Sequence, residues 1–181
     1  FDIKANLLLA EASDDDFFYD FSSVAPGYRD TRFLERYVRL HRTEQIWQSE
    51  LIWRDYQTLD HDTLETDRPY NSLPRVSLDV QPEPWLGEFT TPLHLEWVNF
   101  DRDNSVDGKR TNIVTSLGWN SRNSWYFFRP NLQFAFTDYQ LEDNPGGDSQ
   151  NRALPTLSVD TGLIFERPAG SESQWRQTLE P

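Results

Sequence analysis

Pairs of acidic residues are the features whose types and spacing come nearest to catalytic chemistry. Asp14-Asp15-Asp16, Asp60 with Asp62, and Asp101 with Asp103 each bring carboxylates close together along the chain. A glycosidase needs two such groups at a set separation across the bond that it cleaves. Nothing in the sequence selects one pair over the others, and a charge run in a loop is usually a solvated surface. We therefore predict that the chain is not an enzyme and carries no catalytic residue.

Metal binding is the second chemistry that the residue types suggest. Segment 101–108 carries oxygen-bearing side chains at alternating positions, but it lacks the early glycine and the distant bidentate glutamate of a calcium loop. His41, His61 and His94 lie on different segments, with neither zinc spacing nor a nucleophile partner. The chain has no cysteine, so thiolate ligands and disulfides are absent from it. We predict no metal site and no cofactor, and leave open whether the acidic loops bind divalent cations.

Composition limits the partners. A net charge of -13 argues against nucleic acid, because binding to phosphates draws on a surplus of Lys and Arg. The 181 residues, 36% of them hydrophobic, are enough for one domain. No run approaches the roughly 18 to 20 apolar residues of a membrane-spanning helix, but a barrel strand needs only about 9 to 11 residues. A membrane therefore stays possible as the surroundings of this chain.

Strict alternation of apolar and polar residues identifies the elements. In the run Leu154–Arg167, successive side chains of an extended chain point to opposite faces. One face receives Leu157, Val159, Thr161, Leu163 and Phe165, and the other receives Thr156, Ser158, Asp160, Gly162 and Glu166. This run is therefore predicted to be a strand with one apolar and one polar face.

The same pattern recurs along the chain and predicts an all-β protein without helices. The other predicted strands are Ile3–Ala12, Arg32–Arg42, Gln45–Leu59, Pro74–Gln81, Phe89–Phe100, Thr111–Asn120, Trp125–Tyr139 and a further run Ser173–Pro181. The second and third of these are expected to form a hairpin, and Asn144–Gly147 is expected to be a turn. The spacing of roughly twenty residues exceeds the 8 to 12 residues usual for small sandwiches.

Two architectures fit such strands. The long connections Ser13–Thr31 and Leu59–Leu73 are rich in Asp and Thr, as the outward loops of a membrane barrel tend to be. Aromatic residues at predicted strand ends fit the girdles of such a barrel: Trp47, Tyr56, Trp85, Trp97, Phe100, Trp119, Trp125 and Tyr126. A soluble β-sandwich that binds carbohydrate through exposed tryptophans would also place aromatics there. The prediction is an antiparallel up-and-down transmembrane β-barrel segment, with the sandwich as the alternative.

A motif near the carboxyl end carries a resemblance to a known family. Residues 154–167 followed by 177–181 resemble the barrel domain of the LptD family of lipopolysaccharide-assembly proteins, which tends to read LP-x-x-x-x-D-x-G-x-x-FER and then TLEP. Residues 12–21 are similar to the family's S-D-x-x-Y-x-x-D-F loop. Tyr56–Leu59 and Leu73–Val76 are similar to a strand end and the next strand start. The resemblance covers nearly the whole chain in the right order.

The resemblance implies both a setting and a set of partners. Residues 1–181 would be a single fragment of a barrel of about twenty-six strands, within a translocon that inserts lipopolysaccharide into the outer leaflet of the Gram-negative outer membrane. The periplasmic jellyroll, the disulfide-forming cysteines and the gate strands of the family would lie outside this segment. The implied partners are lipopolysaccharide, a plug lipoprotein of the LptE type, the periplasmic Lpt bridge and outer-membrane lipid.

Alternation also nominates residues for the barrel lumen. The candidates are Arg75, Ser77, Asp79, Arg129, Asn131, Gln133, Ser158, Asp160 and Glu166. Arg129 stands out because the following Pro130 sits poorly inside a paired strand and often marks a bulge or a break. A slice of a barrel would expose two sheet edges and an apolar outer face. We therefore predict that this segment depends on detergent, lipid or further chain.

Overall fold

The computed structural model describes residues 2–14, 32–59, 63–142, 144–169 and 175–179. Apart from one 3-10 turn at Glu65–Asp67, the regular elements of these ranges are strands, which confirms the predicted all-β class. They are β1 Lys4–Leu8, β2 Phe33–Thr43, β3 Trp47–Thr58, β4 Asn71–Val80, β5 Phe89–Thr90, β6 Leu93–Asp101, β7 Asp107–Trp119, β8 Ser121–Arg122, β9 Tyr126–Glu142, β10 Ser149–Leu163, β11 Phe165–Ala169 and β12 Trp175–Leu179. Within these ranges no helix is long and apolar enough to cross a membrane.

Ten of the strands form one antiparallel sheet that follows the order of the chain. The path is β1-β2-β3-β4-β6-β7-β9-β10, with β5 paired to β7 and β8 paired to β9. The predicted hairpin is formed by β2 and β3, and the turn 144–147 joins β9 to β10. Strands β11 and β12 pair with each other in a separate hairpin. This topology confirms the predicted up-and-down arrangement as an open segment of sheet.

One long run of strand is interrupted without a change of register. Strands β7 and β8 continue one register against β9, with Gly118 opposite Asn131 and Ser121 opposite Phe128. The gap between them faces Pro130, which has no N–H to donate. On the other side, the ladder between β9 and β10 runs through Pro130 without a shift. The break expected at this proline therefore occurs on one side only.

A bulge lies near the beginning of β4, and the strand starts earlier than the sequence predicted. From Ser72 to Arg75, β4 uses one residue more than β3 and β6, and the register shifts against both neighbours. The sequence predicted a strand start at Pro74, because the clean alternation of apolar and polar residues begins there. Prolines are tolerated at bulges, so the strand passes through Leu73-Pro74 and begins at Asn71.

The prediction of one continuous strand over Leu154–Arg167 is wrong at its carboxyl end. Strand β10 ends at Leu163, and β11 begins at Phe165 and pairs with β12 instead of β9. The cause is the length of the partner, because β9 begins at Tyr126, opposite Leu163. Beyond that pair, the Ile164 N–H donates one more hydrogen bond, to the Trp125 carbonyl oxygen at 2.9 Å.

The sheet has very little hydrophobic core. Among the described residues, the buried hydrophobic ones are Ala12, Ile52, Leu59 and Val98, whereas many large apolar side chains are exposed. A β-sandwich would cover its apolar face with a second sheet about 10 Å away. The single main sheet does not favour that alternative.

Candidate lumen face and apolar band

Pairing across the sheet collects the predicted lumen residues on one side. Directly opposed residues of antiparallel strands share a face, and Ser77 is opposite Glu96, which is opposite Asn112, which is opposite Thr137. This row joins the face of the β4 candidates to that of the β9 and β10 candidates. The face therefore contains Arg75, Ser77, Asp79, Arg129, Asn131, Gln133, Ser158 and Asp160. We call it the polar face.

Glu166 is not part of that face. It was nominated because a continuous strand would have placed it beside Asp160. The strand ends at Leu163, and Glu166 lies on β11, opposite Thr178 in the separate hairpin. The predicted lumen position of Glu166 therefore does not follow from the main sheet.

A buried carboxylate organises the centre of the polar face. The Glu96 side chain is 7% exposed and lies between arginines of the two neighbouring strands. Arg75 Nε donates to Glu96 Oε2 at 2.7 Å, and Arg110 Nη2 donates to Glu96 Oε1 at 2.6 Å. A buried charge is tolerated when it is paired and hydrogen-bonded. The three residues, which we call the Glu96 clasp, link β4, β6 and β7.

Further polar groups continue from the clasp towards β2. His94 Nδ1 lies 2.6 Å from Asp79 Oδ1, and Arg39 forms an ion pair with Glu50. These groups border a depression of about 200 Å³, lined by Arg39, His41, Thr43, Gln48, Ser49, Glu50, Arg75, Ser77, Asp79 and His94. The sequence analysis did not nominate Glu50, Glu96 or Arg110. The alternation within their own strands could have done so, because it places all three on the face away from the apolar residues.

The other end of the polar face is built around Arg129. Its Nη1 lies 3.3 Å from Asp160 Oδ2, its Nε donates to Asn120 Oδ1 at 3.2 Å, and its guanidinium lies 4.8 Å from the centre of the Phe127 ring. The same ring covers Gly162 so closely that a Cβ on that residue would overlap it. Glycine is required at position 162 because the aromatic ring occupies the space of a side chain.

The opposite face carries an apolar band with sharp limits. Every second residue of β9 from Phe128 to Phe136 faces this side and is apolar, and the next two are Asp138 and Gln140. The change occurs at a similar height on neighbouring strands, between Trp97 and Asn99 on β6, Ile113 and Thr111 on β7, and Trp53 and Asp55 on β3. The stretch from Phe128 to Phe136 is about 27 Å long along the strand, which at the usual barrel tilt of roughly 35 to 45° gives a height of about 20 Å, somewhat less than the roughly 25 Å apolar height of an outer-membrane barrel.

A row of contacting aromatic rings marks one limit of the band. Trp85 and Phe89 have ring centres 4.7 Å apart, Phe89 and Trp119 are 6.2 Å apart, and Trp119 and Phe128 are 5.9 Å apart. This aromatic row crosses β5, β7 and β9 at the end of the sheet formed by the short connections 44–46 and 123–125. We call this end the turn end. Trp85 and Trp119 thus have the strand-end position predicted for girdle residues.

Other residues predicted for a girdle lie elsewhere. Trp97 is inside β6, at the opposite limit of the band. Phe100 and Tyr56 occupy positions that alternate onto the polar face. There Phe100 contacts Tyr70 edge-on, with ring centres 6.0 Å apart. The prediction went by closeness to a strand end, which does not reveal which face of the sheet a side chain lies on.

The other end of the sheet carries the long connections 9–32 and 59–70 and the loop 102–106. Arg102 joins two of them, because its Nη1 donates to the carbonyl oxygens of Thr66 and Arg68, both at 3.0 Å, and its guanidinium stacks 4.0 Å from the Tyr70 ring centre. Asp107, one of the oxygens considered for calcium, accepts the Arg102 N–H at 2.8 Å.

The acidic and histidine candidates are not brought together. Asp101 and Asp103 belong to the loop end, whereas His41 and His94 line the depression on the polar face. Asp15, Asp16, Asp60, His61 and Asp62 lie outside the described residues. Across the described parts of the chain, no three His, Cys, Asp or Glu side chains converge in a way that could hold a metal ion.

Comparison with known proteins agrees with this arrangement. The family model described as "LptD: LPS transport system D" matches residues 2–181. Proteins named LPS-assembly protein LptD are 30% identical in Chromohalobacter salexigens, over 97% of this chain and 25% of the relative, and 34% identical in Nitrosococcus oceani, over 97% and 24%. The Thiobacillus denitrificans protein of the same name is 30% identical, over 98% and 24%. The chain spans about a quarter of the length of these relatives. With an up-and-down sheet and a family match along almost its whole length, the chain belongs to the LptD family.

Proposed function

We propose that this segment forms part of the wall of an outer-membrane barrel that inserts lipopolysaccharide into the outer leaflet. The observation that carries the proposal is the two-faced sheet, which has ion pairs and polar side chains on one side and the apolar band on the other. Backbone groups inside a bilayer must be hydrogen-bonded within the protein, and a barrel strand meets lipid and lumen with alternate residues. The hydrogen-bonded ladders between the two edge strands fit the first condition, and the alternation of apolar and polar residues fits the second.

The proposed role is passage rather than chemistry. An amphiphile with an anionic saccharide and several acyl chains needs a polar route for its head and lipid for its tails. The Glu96 clasp and the Asp79–His94 pair hold charged groups in fixed positions on the polar face. Pairing within the wall spares these partly buried groups the cost of a buried charge without a partner. No catalytic step is assigned to any residue.

The proposed setting follows from the family relationship. We place residues 1–181 in the barrel domain and assign the jellyroll and the gate strands to other parts of a full-length protein. The location is then the outer membrane of a Gram-negative cell. The partners are lipopolysaccharide, outer-membrane lipid, a plug lipoprotein of the LptE type against the polar face, and the periplasmic Lpt bridge through the jellyroll.

The two faces can be tested with adjacent residues of β9. Gln133 belongs to the polar face and Phe134 to the apolar band. The experiment uses a full-length LptD-family protein that carries this segment, which we call the full-length carrier. A nitroxide label is attached to Gln133→Cys or to Phe134→Cys, and the labelled protein is placed in vesicles. We expect Phe134→Cys to relax with dissolved oxygen and Gln133→Cys to relax with a water-soluble nickel chelate. Equal access of the chelate to both positions would contradict a lipid-facing wall.

Transport is tested by photocrosslinking in cells. A benzophenone amino acid at Asn131, Gln133 or Ser158 probes the polar face, and the same residue at Phe134 probes the band. We expect lipopolysaccharide adducts at the polar-face positions that vanish when supply from the inner membrane is depleted, whereas adducts at Phe134, formed with lipid already in the leaflet, persist. Absence of adducts from all three polar-face positions would contradict passage along this face.

A further inference from the structure

A tight turn between β4 and β5 presents large apolar side chains at the turn end of the sheet. Trp85 is 50% exposed and Leu86 is 79% exposed. The turn is closed by hydrogen bonds between Trp85 and Phe89, from the Trp85 N–H at 3.0 Å and from the Phe89 N–H at 3.1 Å. We call residues 85–87 the apolar tip. Its exposure is unusual because closed turns ordinarily carry small polar residues.

The backbone at the tip makes the choice of leucine more notable. Leu86 has φ of 52° and Gly87 has φ of 72°. Both values lie in the left-handed region, which suits Gly, Asn or Asp and crowds the side chain of a bulky residue. Asn-Gly would satisfy the same turn at lower strain. A strained residue that persists is a reason to look for a role of its side chain.

The tip is fastened to the sheet on the apolar side. Trp85 is the first ring of the aromatic row, which continues through Phe89 to Trp119 and Phe128. Glu88 strengthens this attachment, because its side chain accepts the Trp119 indole N–H and its carbonyl oxygen accepts the Asn120 N–H at 2.9 Å. The tip is therefore continuous with the apolar band and held at a fixed height at its edge.

We propose that the apolar tip inserts into the lipid leaflet at the turn end and anchors this part of the wall. The inference rests on the proposed function, because it needs the apolar band to face lipid. Trp favours the headgroup region, where its ring and its N–H meet apolar and polar surroundings, and an adjacent Leu reaches the start of the acyl chains. Continuity with the band identifies lipid as the occupant, rather than another protein.

The test uses an environment-sensitive nitrobenzoxadiazole probe on Leu86→Cys of the full-length carrier. Vesicles of phosphatidylethanolamine and phosphatidylglycerol carry bromine either near the headgroup end or near the methyl end of the acyl chains. We expect at least twofold quenching by headgroup-proximal bromine and weaker quenching by methyl-proximal bromine. The matched control is Gly146→Cys, an exposed turn position at the loop end of the sheet, where lipid bromine should quench little.

A second probe separates this inference from the proposed function. Leu157→Cys lies within the apolar band on β10. Quenching at Leu157 without quenching at Leu86 would overturn the anchor and leave the proposed function standing, whereas quenching at neither would contradict the proposed function. A probe at Leu86 that neither lipid bromine nor dissolved iodide quenches would show a covering protein and also overturn the anchor. Heat-modifiable electrophoretic mobility confirms that each labelled variant is folded.

Discussion

At the scale of single residues, Glu96 is a central charged group of the polar face, although the sequence did not single it out. Its two oxygens are taken by arginines from opposite sides, and the carboxylate is nearly removed from water. Removing one member of a buried, hydrogen-bonded pair leaves the other charges without compensation. Glu96 is therefore a residue whose loss should be felt across three strands.

We expect Glu96→Gln to destabilise the full-length carrier by about 2 to 4 kcal/mol, less than for a fully buried pair because the two guanidiniums are about a third exposed. The measurement is the midpoint of thermal unfolding in detergent. Asp160→Asn is the matched control, because the Asp160 side chain is 65% exposed and its pair with Arg129 is long. Similar midpoints for the two variants would contradict the role of the clasp.

Gly162 offers a second prediction at this scale. Gly162→Ala places a methyl group where the Phe127 ring lies, so we expect overpacking to cost about 1 to 3 kcal/mol. The same change at Gly146, which has no close contact, should cost little. In a double-mutant cycle, Phe127→Leu should relieve most of the penalty at position 162. A penalty that Phe127→Leu does not change would place its origin elsewhere.

At the scale of elements, the sequence predicted the strands well because alternation is a local property of each run. It did not predict the bulge at Leu73-Pro74 or the break at Ile164. Both depend on partners, since the bulge is shared with two neighbours and the break occurs where β9 ends. For the same reason, the polar-face residues of β4, β9 and β10 could be nominated strand by strand, but the Glu96 clasp could not. It exists only after three strands have been paired.

The two faces of β9 predict a strong asymmetry between neighbouring substitutions. We expect Phe134→Arg to reduce folded protein sharply, because an arginine on the lipid side of a barrel costs about 2 to 4 kcal/mol at the bilayer midplane and Phe134 is the next apolar position after Leu132 at the middle of the band. Gln133→Arg should be tolerated, because that side chain faces the polar side. The measurement is the fraction of heat-modifiable, folded full-length carrier in outer-membrane preparations. Comparable losses for both variants would contradict the assignment of the faces.

At the scale of the whole molecule, the main sheet is open and barely covered. Among the described strands, β1 pairs only with β2 and β10 pairs only with β9, which leaves one free edge at each side. Free edges and an exposed apolar face favour association with other chains. Composition alone would not have revealed this, because an overall acidic chain with a mean hydropathy of -0.74 averages over the two faces.

We expect the isolated 181-residue chain to aggregate in buffer and to give a β circular dichroism signal after transfer to detergent micelles. Light scattering before and after detergent provides the measurement. The physical reason is that micelles cover the apolar band, which no other part of the described structure covers. A monodisperse chain that melts cooperatively without detergent would show that its apolar face is covered by the chain itself.

The Glu96 clasp also has a consequence for the order of assembly. While β6 has only one neighbour, at most one of the two arginines can reach the Glu96 carboxylate, and both of its oxygens are paired only when β4 and β7 have both joined β6. A slip of one residue in either pairing would turn polar side chains towards the apolar side, and a slip of two would separate the charges. We therefore expect the clasp to stabilise the growing sheet only after β4, β6 and β7 have paired in the correct register.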